Sequence, residues 1–208
     1  MDGVIIDSNP VHTLAWSSYL RRFGVHIDNL EARMYGRRND EIVRDFFGSA
    51  LSDDDVAAHG AAKERLYREL MQPQIAERLV PGVVDFIGLL RGLPLGIGTN
   101  AEPANVSFVL SHSGLAGLFR AVVDGHQVEQ PKPHPEIYLT TAALLKTTPA
   151  DCIIFEDSLA GVAAARAAGA RVVAVKTSHA DLPAADFSIF DFRSPELAAW
   201  LSEQRPLS

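Results

Sequence analysis

The chain has little of what marks disulfide-rich, membrane or secreted proteins. It contains one cysteine, Cys152, which excludes an internal disulfide and suits a reducing cytoplasm. No apolar run approaches the roughly 20 residues needed to span a bilayer. The first residues do not show the basic-then-apolar pattern of a signal peptide. We therefore expect a cytoplasmic protein that does not bind membranes.

Positive charge is also scarce. Lys and Arg number 19 against 26 Asp and Glu, which gives a formal net charge of −7, and no basic stripe is interleaved with aromatics. Because binding to nucleic acid depends on clustered Lys and Arg, we expect no such partner. The 208 residues are 47% hydrophobic and 22% charged, as in ordinary globular proteins. We expect a monomer or a weak homodimer.

The pattern of apolar residues predicts a helical region over residues 10–80. Residues 11–23 have helical spacing, and a long amphipathic stretch over residues 56–71 follows Ser52. Three aspartates after Ser52 raise the alternative of a metal cluster. We favour an N-cap at Ser52 with carboxylates in the first helical turn, where the helix dipole stabilises negative charge.

From Pro81 onward, helices alternate with short apolar strands. The predicted strands cover residues 93–98, 121–123, 152–155, 171–175 and 187–190. The predicted helices cover residues 83–90, 105–113, 136–145 and 159–168. This alternation predicts an α/β fold with a doubly wound parallel sheet. We assign residues 1–9 and 81–208 to this core, and residues 10–80 to an α-helical domain inserted near the N-terminus.

Polar residues follow the predicted strands, at the sheet edge where ligands bind in such folds. They supply carboxylates for a metal ion, a hydroxyl and backbone N–H groups for phosphate oxygens, and an ammonium group. Such a set suits phosphoryl transfer, in which positioning and charge neutralisation dominate catalysis. The set consists of Asp2, Thr99, Asn100, Lys132, Glu156 and Asp157.

Each of these signals has a structural alternative. Thr99 and Asn100 are also suited to capping the next helix, and Glu156 with Asp157 to capping the Ala-rich helix that follows. Lys132 stands among prolines that hold it in a stiff loop, yet a surface lysine in a turn remains possible. The order of the residues, each after a successive strand, favours the functional interpretation.

The combined motifs resemble the haloacid dehalogenase superfamily, in the branch of small phosphatases and phosphomutases typified by β-phosphoglucomutase. The matching segments cover essentially the whole chain. They are residues 1–8 (MDGVIIDS), 98–100 (GTN), 132–138 (KPHPEIY) and 155–158 (FEDS), followed by Gly161 and residues 167–169 (AAG).

The resemblance implies a role for each matching residue. Asp2 would be the general acid/base, and its backbone carbonyl would bind Mg²⁺. Asp157 would bind Mg²⁺ through its carboxylate, with Glu156 beside it as a ligand or as a supporting acceptor. Lys132 would neutralise charge on the transferring phosphoryl group. Thr99 and the backbone of Asn100 would also hold that group.

The resemblance also implies that the helical insert is a mobile cap that closes over the substrate. Residues 36–40 (GRRND) resemble the substrate-facing loop of the cap. We expect Arg38 to contact a remote phosphate or a sugar hydroxyl, although a solvated surface arginine is an equal alternative. His12 matches a position near the active site of the mutases, and its alternative is a histidine on a helix face.

The chain departs from the family at its beginning. The family's nucleophile is the aspartate two residues before Asp2, and the family's first, central strand precedes it. Neither is present in the 208 residues. Because loss of a central strand leaves unpaired edges, we expect the natural product to begin upstream of Met1.

We therefore expect an Mg²⁺-dependent phosphatase that acts on a small phosphorylated metabolite, a sugar phosphate being favoured. A phosphomutase of the β-phosphoglucomutase type is one alternative. The other is a catalytically impaired phospho-ligand binder, because a chain without the aspartyl nucleophile cannot form a phosphorylated aspartate.

Overall fold

The computed structural model describes residues 1–35, 37–179 and 181–204. It divides the chain into two compact units, of which unit 1 comprises Met1–Asp7 and Arg78–Ser208 and unit 2 comprises Ser8–Glu77. No helix among the described residues is both long and apolar enough to cross a membrane.

Unit 2 is built of helices around one aromatic-rich core. The helices are α1 (Asn9–Arg21), α2 (Leu30–Met34), α3 (Asn39–Phe47), α4 (Asp53–Met71) and α5 (Ile75–Arg78), whose last residue belongs to unit 1. Their buried faces meet around Trp16, Tyr19 and Phe46. Ser52 caps α4, because its hydroxyl accepts a hydrogen bond from the Asp55 N–H at 3.1 Å. The predicted cap at Ser52 is thus confirmed.

Unit 1 contains parallel strands alternating with helices. The helices are α6 (Val83–Leu89), α7 (Pro103–His112), α8 (Glu136–Leu144), α9 (Leu159–Ala167) and α10 (Pro195–Glu203). The strands are β1 (Gly96–Gly98), β2 (Ala121–Val123), β3 (Ile153–Glu156), β4 (Arg171–Val175) and β5 (Phe187–Ile189). The predicted parallel α/β fold is confirmed.

The parallel strands form two sheets. Strand β1 pairs with β2 in the register Ile97 to Val122. The other sheet has the order β3-β4-β5, in which Glu156 is level with Ala174. Within the described residues, no ladder of backbone hydrogen bonds joins β1 to β3.

The buried faces of β4, α8 and α9 form the core beside the three-stranded sheet. Residues 172–175 of β4 are fully buried, as expected for a middle strand covered on both faces. Small side chains on α9, including Ala164 and Ala165, let that helix pack closely against this core. This core therefore positions the carboxyl end of β3, where Glu156 and Asp157 lie.

The first seven residues form a tight turn that is attached to the rest of unit 1. The Gly3 N–H donates to the Ile6 carbonyl at 2.8 Å, and Gly3 has a positive φ of 65°, which glycine adopts readily. The Val80 N–H donates to the Ile5 carbonyl at 3.0 Å. These bonds hold Asp2 in a defined backbone segment.

Candidate active site

Lys132 connects the carboxyl ends of the two sheets. Its ammonium nitrogen lies 3.3 Å from the carbonyl oxygen of Gly98, at the end of β1. The same nitrogen forms an ion pair with a carboxylate oxygen of Glu156, at the end of β3. The Lys132 side chain is only 10% exposed. The structure therefore excludes the alternative of a solvated surface lysine.

Glu156 is a buried carboxylate whose two oxygens both accept hydrogen bonds. Oε1 accepts from Lys132 and from the Tyr138 hydroxyl. Oε2 accepts from the Asp157 N–H and the Ser158 hydroxyl, each at 3.2 Å. Burial acts to raise the pKa of Glu156. The charge and hydrogen bond of Lys132, the hydrogen bond from Tyr138 and the charge of the Met1 amino group together outweigh burial, so the pKa lies below its usual value. Glu156 is thus a charged, hydrogen-bonded anchor for Lys132.

Asp157 is half-buried beside Glu156 and has the opposite electrostatic behaviour. Burial and, next, the negative charge of Glu156 raise the pKa of Asp157 to about 7. The Ser178 hydroxyl donates to its Oδ2. A cation placed beside this carboxylate would relieve both unfavourable effects, so the local charge fits a positively charged ligand.

Two glycines provide the space that these carboxylates occupy. A Cβ at Gly3 would overlap the carboxylate of Asp157, and a Cβ at Gly161 would overlap that of Glu156. Gly161 lies in the first turn of α9, which Ser158 caps by accepting the Gly161 N–H at 3.0 Å. Capping by Ser158 excludes the alternative in which Glu156 or Asp157 caps this helix.

The structure brings Asp2 into the same charged neighbourhood. Burial lowers the pKa of the Met1 amino group, Asp2 raises it, Lys132 lowers it, and Glu156 and Asp157 raise it. The charges of Lys132, Glu156 and Asp157 act on this amino group, so the residue before Asp2 lies near all three. A Cβ at Gly3, the residue after Asp2, would overlap the Asp157 carboxylate. The N-terminal turn therefore brings the backbone of Asp2 close to the charged groups at the strand ends.

Thr99 and Asn100 follow β1 directly, on the strand that Lys132 contacts. The Thr99 side chain is buried, and its hydroxyl accepts the Ala101 N–H at 3.2 Å. Helix α7 begins only at Pro103, with Glu102 at its N-cap position, so Thr99 and Asn100 do not cap that helix. Asn100 Oδ1 is buried and has no hydrogen-bond partner among the described residues. A buried acceptor of this kind is suited to a ligand or a bound water.

The predicted substrate contacts His12 and Arg38 both belong to unit 2. The His12 ring stacks on Tyr67 with centroids 3.8 Å apart, and its Nδ1 lies 3.2 Å from Lys63 Nζ. Arg38 Nε lies 3.4 Å from an oxygen of Asp40. Gly36, which begins the predicted substrate loop, lies outside the described residues.

The donor atoms offer a partial match to the predicted metal site. Across the described residues, no three side chains of His, Cys, Asp or Glu gather into a cluster that could hold a metal ion. The expected metal set of Asp2, Glu156 and Asp157 thus does not form such a cluster. Since Glu156 already accepts from four donors, the geometry favours a supporting acceptor over a direct ligand. Asp157 and backbone oxygens remain as suitable hard ligands.

The structure adds residues that sequence reasoning missed. Tyr138 donates its hydroxyl to Glu156 and places its ring 4.9 Å from Lys132 Nζ. Thr177 donates to the carbonyl of Gly3, and Ser178 donates to Asp157. Tyr138 stands in the matched segment 132–138, which was the only sequence signal for it. Thr177 and Ser178 follow β4, and the rule of inspecting strand ends would have found them.

Parallel strands with acids and a lysine at their carboxyl ends define the chain as an α/β enzyme. Residues 1–169 match the family of haloacid dehalogenase-like hydrolases, and the chain belongs to that family. The resemblance inferred from the motifs and the prediction of a hydrolase are thereby confirmed. Hydrolases of this family generally use a divalent metal ion.

Individual relatives cover most of the chain. Fructose-1-phosphate phosphatase YqaB of Escherichia coli is 32% identical over 179 residues, which are 85% of this chain and 93% of the relative. β-Phosphoglucomutase of Bacillus subtilis is 31% identical over 181 residues, covering 84% and 80%. The crystal structure of a β-phosphoglucomutase from Clostridium difficile has a TM-score of 0.83 at 25% identity, covering 96% and 92%.

Proposed function

We propose that the protein is an Mg²⁺-dependent phosphatase that hydrolyses a small phosphorylated metabolite, with sugar phosphates as the favoured class. The observation that carries this proposal is the position of Lys132, which contacts Gly98 beside the Thr99–Asn100 segment and also pairs with Glu156. An ammonium group at that point would lie close both to a phosphoryl group bound at Thr99 and Asn100 and to the acidic residues after β3. The names of the relatives support sugar phosphates as substrates.

The phosphoryl group would be bound by three residues. Lys132 would neutralise its negative charge, while the Thr99 hydroxyl and the Asn100 N–H would donate to its oxygens. Glu156 restrains Lys132, so the ammonium group is already in place before the substrate arrives. Such preorganisation avoids the cost of reorienting the ammonium group during the reaction.

Asp2 would move the proton. In its acid form it would protonate the leaving oxygen, and in its basic form it would take a proton from the attacking water. The nucleophilic aspartate of the family precedes Asp2 by two positions and is not among the 208 residues. The remaining residues therefore account for binding and proton transfer.

Mg²⁺ would be held by the Asp157 carboxylate and the Asp2 carbonyl oxygen. The half-buried, high-pKa carboxylate of Asp157 fits a divalent cation, and oxygen donors are the ligands that Mg²⁺ prefers. When bound there, the ion would supply positive charge that stabilises the phosphoryl oxygens. Glu156 would contribute by orienting Lys132.

Unit 2 would select the substrate as a cap. Arg38 would donate to a phosphate or hydroxyl at the far end of the substrate, through its fork of N–H groups. His12 would stand near the reacting end, as the resemblance implies. Closure of the cap would exclude water other than the attacking molecule.

The direct test is hydrolysis of p-nitrophenyl phosphate and fructose 1-phosphate with and without Mg²⁺. It should compare the 208-residue chain with the same chain preceded by the strand and aspartate that the family carries there. Release of phosphate by the extended chain alone, and only with Mg²⁺, is the expected result. Absence of phosphate release from both chains would contradict the proposal and favour a phospho-ligand binder.

A phosphomutase is the second candidate, because a relative and structural neighbours are named β-phosphoglucomutase. A mutase returns the phosphoryl group to another hydroxyl of the same sugar. With β-glucose 1-phosphate as the substrate, it would form glucose 6-phosphate, whereas a phosphatase would form glucose and inorganic phosphate. Identification of the product by NMR distinguishes the two activities.

A further inference from the structure

One carboxylate in unit 2, that of Asp45 on α3, holds two arginines. Arg33 Nη2 lies 2.6 Å from Asp45 Oδ1, and Arg37 Nη1 lies 2.8 Å from Asp45 Oδ2. Arg33 belongs to the last turn of α2, and Arg37 stands just before α3. The two oxygens of a single side chain thus tie α2, the approach to α3, and α3 itself together.

The two clamped arginines are fixed by further contacts. Arg37 Nη1 donates to the Arg33 carbonyl at 2.9 Å, and Arg37 Nη2 donates to the Glu41 carbonyl at 3.3 Å. The Arg33 guanidinium lies 5.2 Å from the ring centroid of Phe46, a residue of the buried core. Isolated surface ion pairs contribute little, but networks with such geometry are the exception. Arg37 is therefore a structural residue of this segment.

Arg38, the next residue, is held much less firmly. The ion pair that the described residues give it is with Asp40, at 3.4 Å, and its side chain is 27% exposed. Its backbone N–H donates to Glu41 Oε2 at 3.4 Å. Of these two adjacent arginines, Arg37 is held by several polar contacts that stabilise the fold. Among the described residues, most guanidinium donors of Arg38 are available to another partner.

We propose that Asp45 is a positioning residue for substrate selection. It fixes Arg37, and so sets the backbone from which Arg38 reaches the phosphate or hydroxyl at the far end of the substrate. This role rests on the proposed function, in which Arg38 binds that end. Since hydrogen bonds weaken steeply when their geometry departs from the ideal, loss of the clamp weakens recognition without removing any atom that touches the substrate.

The test is binding of fructose 1-phosphate and of inorganic phosphate to the 208-residue chain by calorimetry, with Mg²⁺ present. We expect Asp45→Asn to raise the Kd for fructose 1-phosphate about tenfold, or about 1.4 kcal/mol, and the Kd for inorganic phosphate less than about twofold. Arg38→Ala should have the same effect. The double variant should be no worse than Arg38→Ala alone, because both changes remove one interaction.

Asp53→Asn is the matched control, because Asp53 pairs with Arg44 in the same unit and its side chain is 95% exposed. It should leave both affinities unchanged. An additive double variant, or equal weakening of both ligands by Asp45→Asn, would overturn the positioning role while leaving the proposed function intact. If neither the 208-residue chain nor the extended chain binds either ligand, the proposed function fails, and the role of Asp45 fails with it.

Discussion

Within the described residues, each unit contains a buried lysine–glutamate pair beside an aromatic ring. In unit 1, Lys132 pairs with Glu156 and lies 4.9 Å from the ring of Tyr138. In unit 2, Lys63 Nζ lies 2.6 Å from Glu64 Oε1, and the two side chains are 3% and 8% exposed. Lys63 Nζ also lies 5.0 Å from the ring centroid of Trp16.

The two pairs differ in how the chain assembles them. Lys63 and Glu64 are neighbours on α4, so local structure brings them together. Lys132 and Glu156 come from a loop and a strand end that are distant along the chain, so only the tertiary fold joins them. Their partners differ as well: His12 contacts Lys63, whereas Lys132 also reaches the backbone of β1. The same pair of residue types thus lies within a helical core in one unit and within the candidate active site in the other.

The largest effect is expected from breaking the pair in unit 1. Lys132→Met would leave Glu156 buried without its counter-charge beside Asp157, and loss of one partner of a buried pair costs about 3–5 kcal/mol. Urea unfolding measures this loss. Lys176→Met is the control, since Lys176 lies over the largely exposed ring of Phe190 and should cost under about 1 kcal/mol. Equal stability of the two variants would refute a buried pair at Lys132.

The corresponding break in unit 2 is Glu64→Gln, with an expected loss of about 3 kcal/mol. Replacing both members, as in Lys63→Met with Glu64→Leu, should cost less than Glu64→Gln alone, because the two opposite charges of the pair are removed together. The measurement is again urea unfolding. We expect Mg²⁺ to stabilise Glu64→Gln as it stabilises the unmodified chain. In Lys132→Met, stabilisation by Mg²⁺ should be lost only if that substitution also disturbs Asp157. A double replacement that costs more than Glu64→Gln alone would contradict this comparison.

Asp157→Asn should stabilise the metal-free protein. An aspartate whose pKa rises on folding, here to about 7, is ionised in the unfolded chain above about pH 4. Folding therefore takes up a proton between those values, and this group lowers stability as the pH rises through that interval. At about pH 8 with a chelator, the Asn variant should be more stable by on the order of 2 kcal/mol, and the gain should shrink toward about pH 5.

Thermal unfolding with and without Mg²⁺ checks this prediction. Mg²⁺ should raise the Tm of the unmodified chain and not that of Asp157→Asn, because the variant lacks the proposed ligand. A metal-induced shift of equal size in both proteins would place the ion elsewhere. A variant that is less stable at every pH would show that the hydrogen bond from Ser178 outweighs the relief of charge.

The smallest effect is expected from Tyr138→Phe, which keeps the ring beside Lys132 and removes one donor to Glu156. Burial and the Glu156 charge hold the pKa of Tyr138 well above its usual value, so the hydroxyl stays protonated and donates. Its loss should cost about 1–2 kcal/mol in thermal or urea unfolding. Tyr35→Phe is the control, since that half-buried hydroxyl meets Thr13 at 3.2 Å and should matter less.

Much of the fold could be predicted because local patterns determine it. The strands at residues 121–123 and 171–175 have the predicted limits, since short apolar runs bounded by polar or glycine residues define them. The strand predicted over residues 93–98 shortens to Gly96–Gly98. The segment Leu30–Met34 was not predicted, because a helix of one turn carries too little periodicity.

The candidate site was predictable in kind but not in its contacts. Strand ends identify Thr99, Lys132, Glu156 and Asp157 because parallel strands direct their carboxyl ends to one edge. The role of Tyr138 could not be found in this way, because a tyrosine at a helical position also fits the core. The burial of Lys63 and Glu64 was equally hidden, since charged neighbours on an amphipathic helix usually face solvent.

Because two glycines face the carboxylates, more positions of the site are sensitive to substitution than those that carry its functional groups. Neither Gly3 nor Gly161 has a side chain that could bind a metal ion or donate a proton. Even alanine at either position would overlap a carboxylate. In a library that replaces every position by every residue, both glycines should rank with Asp157 among the least tolerant. Such a site depends on the space left free at these two glycines as much as on the side chains that are present.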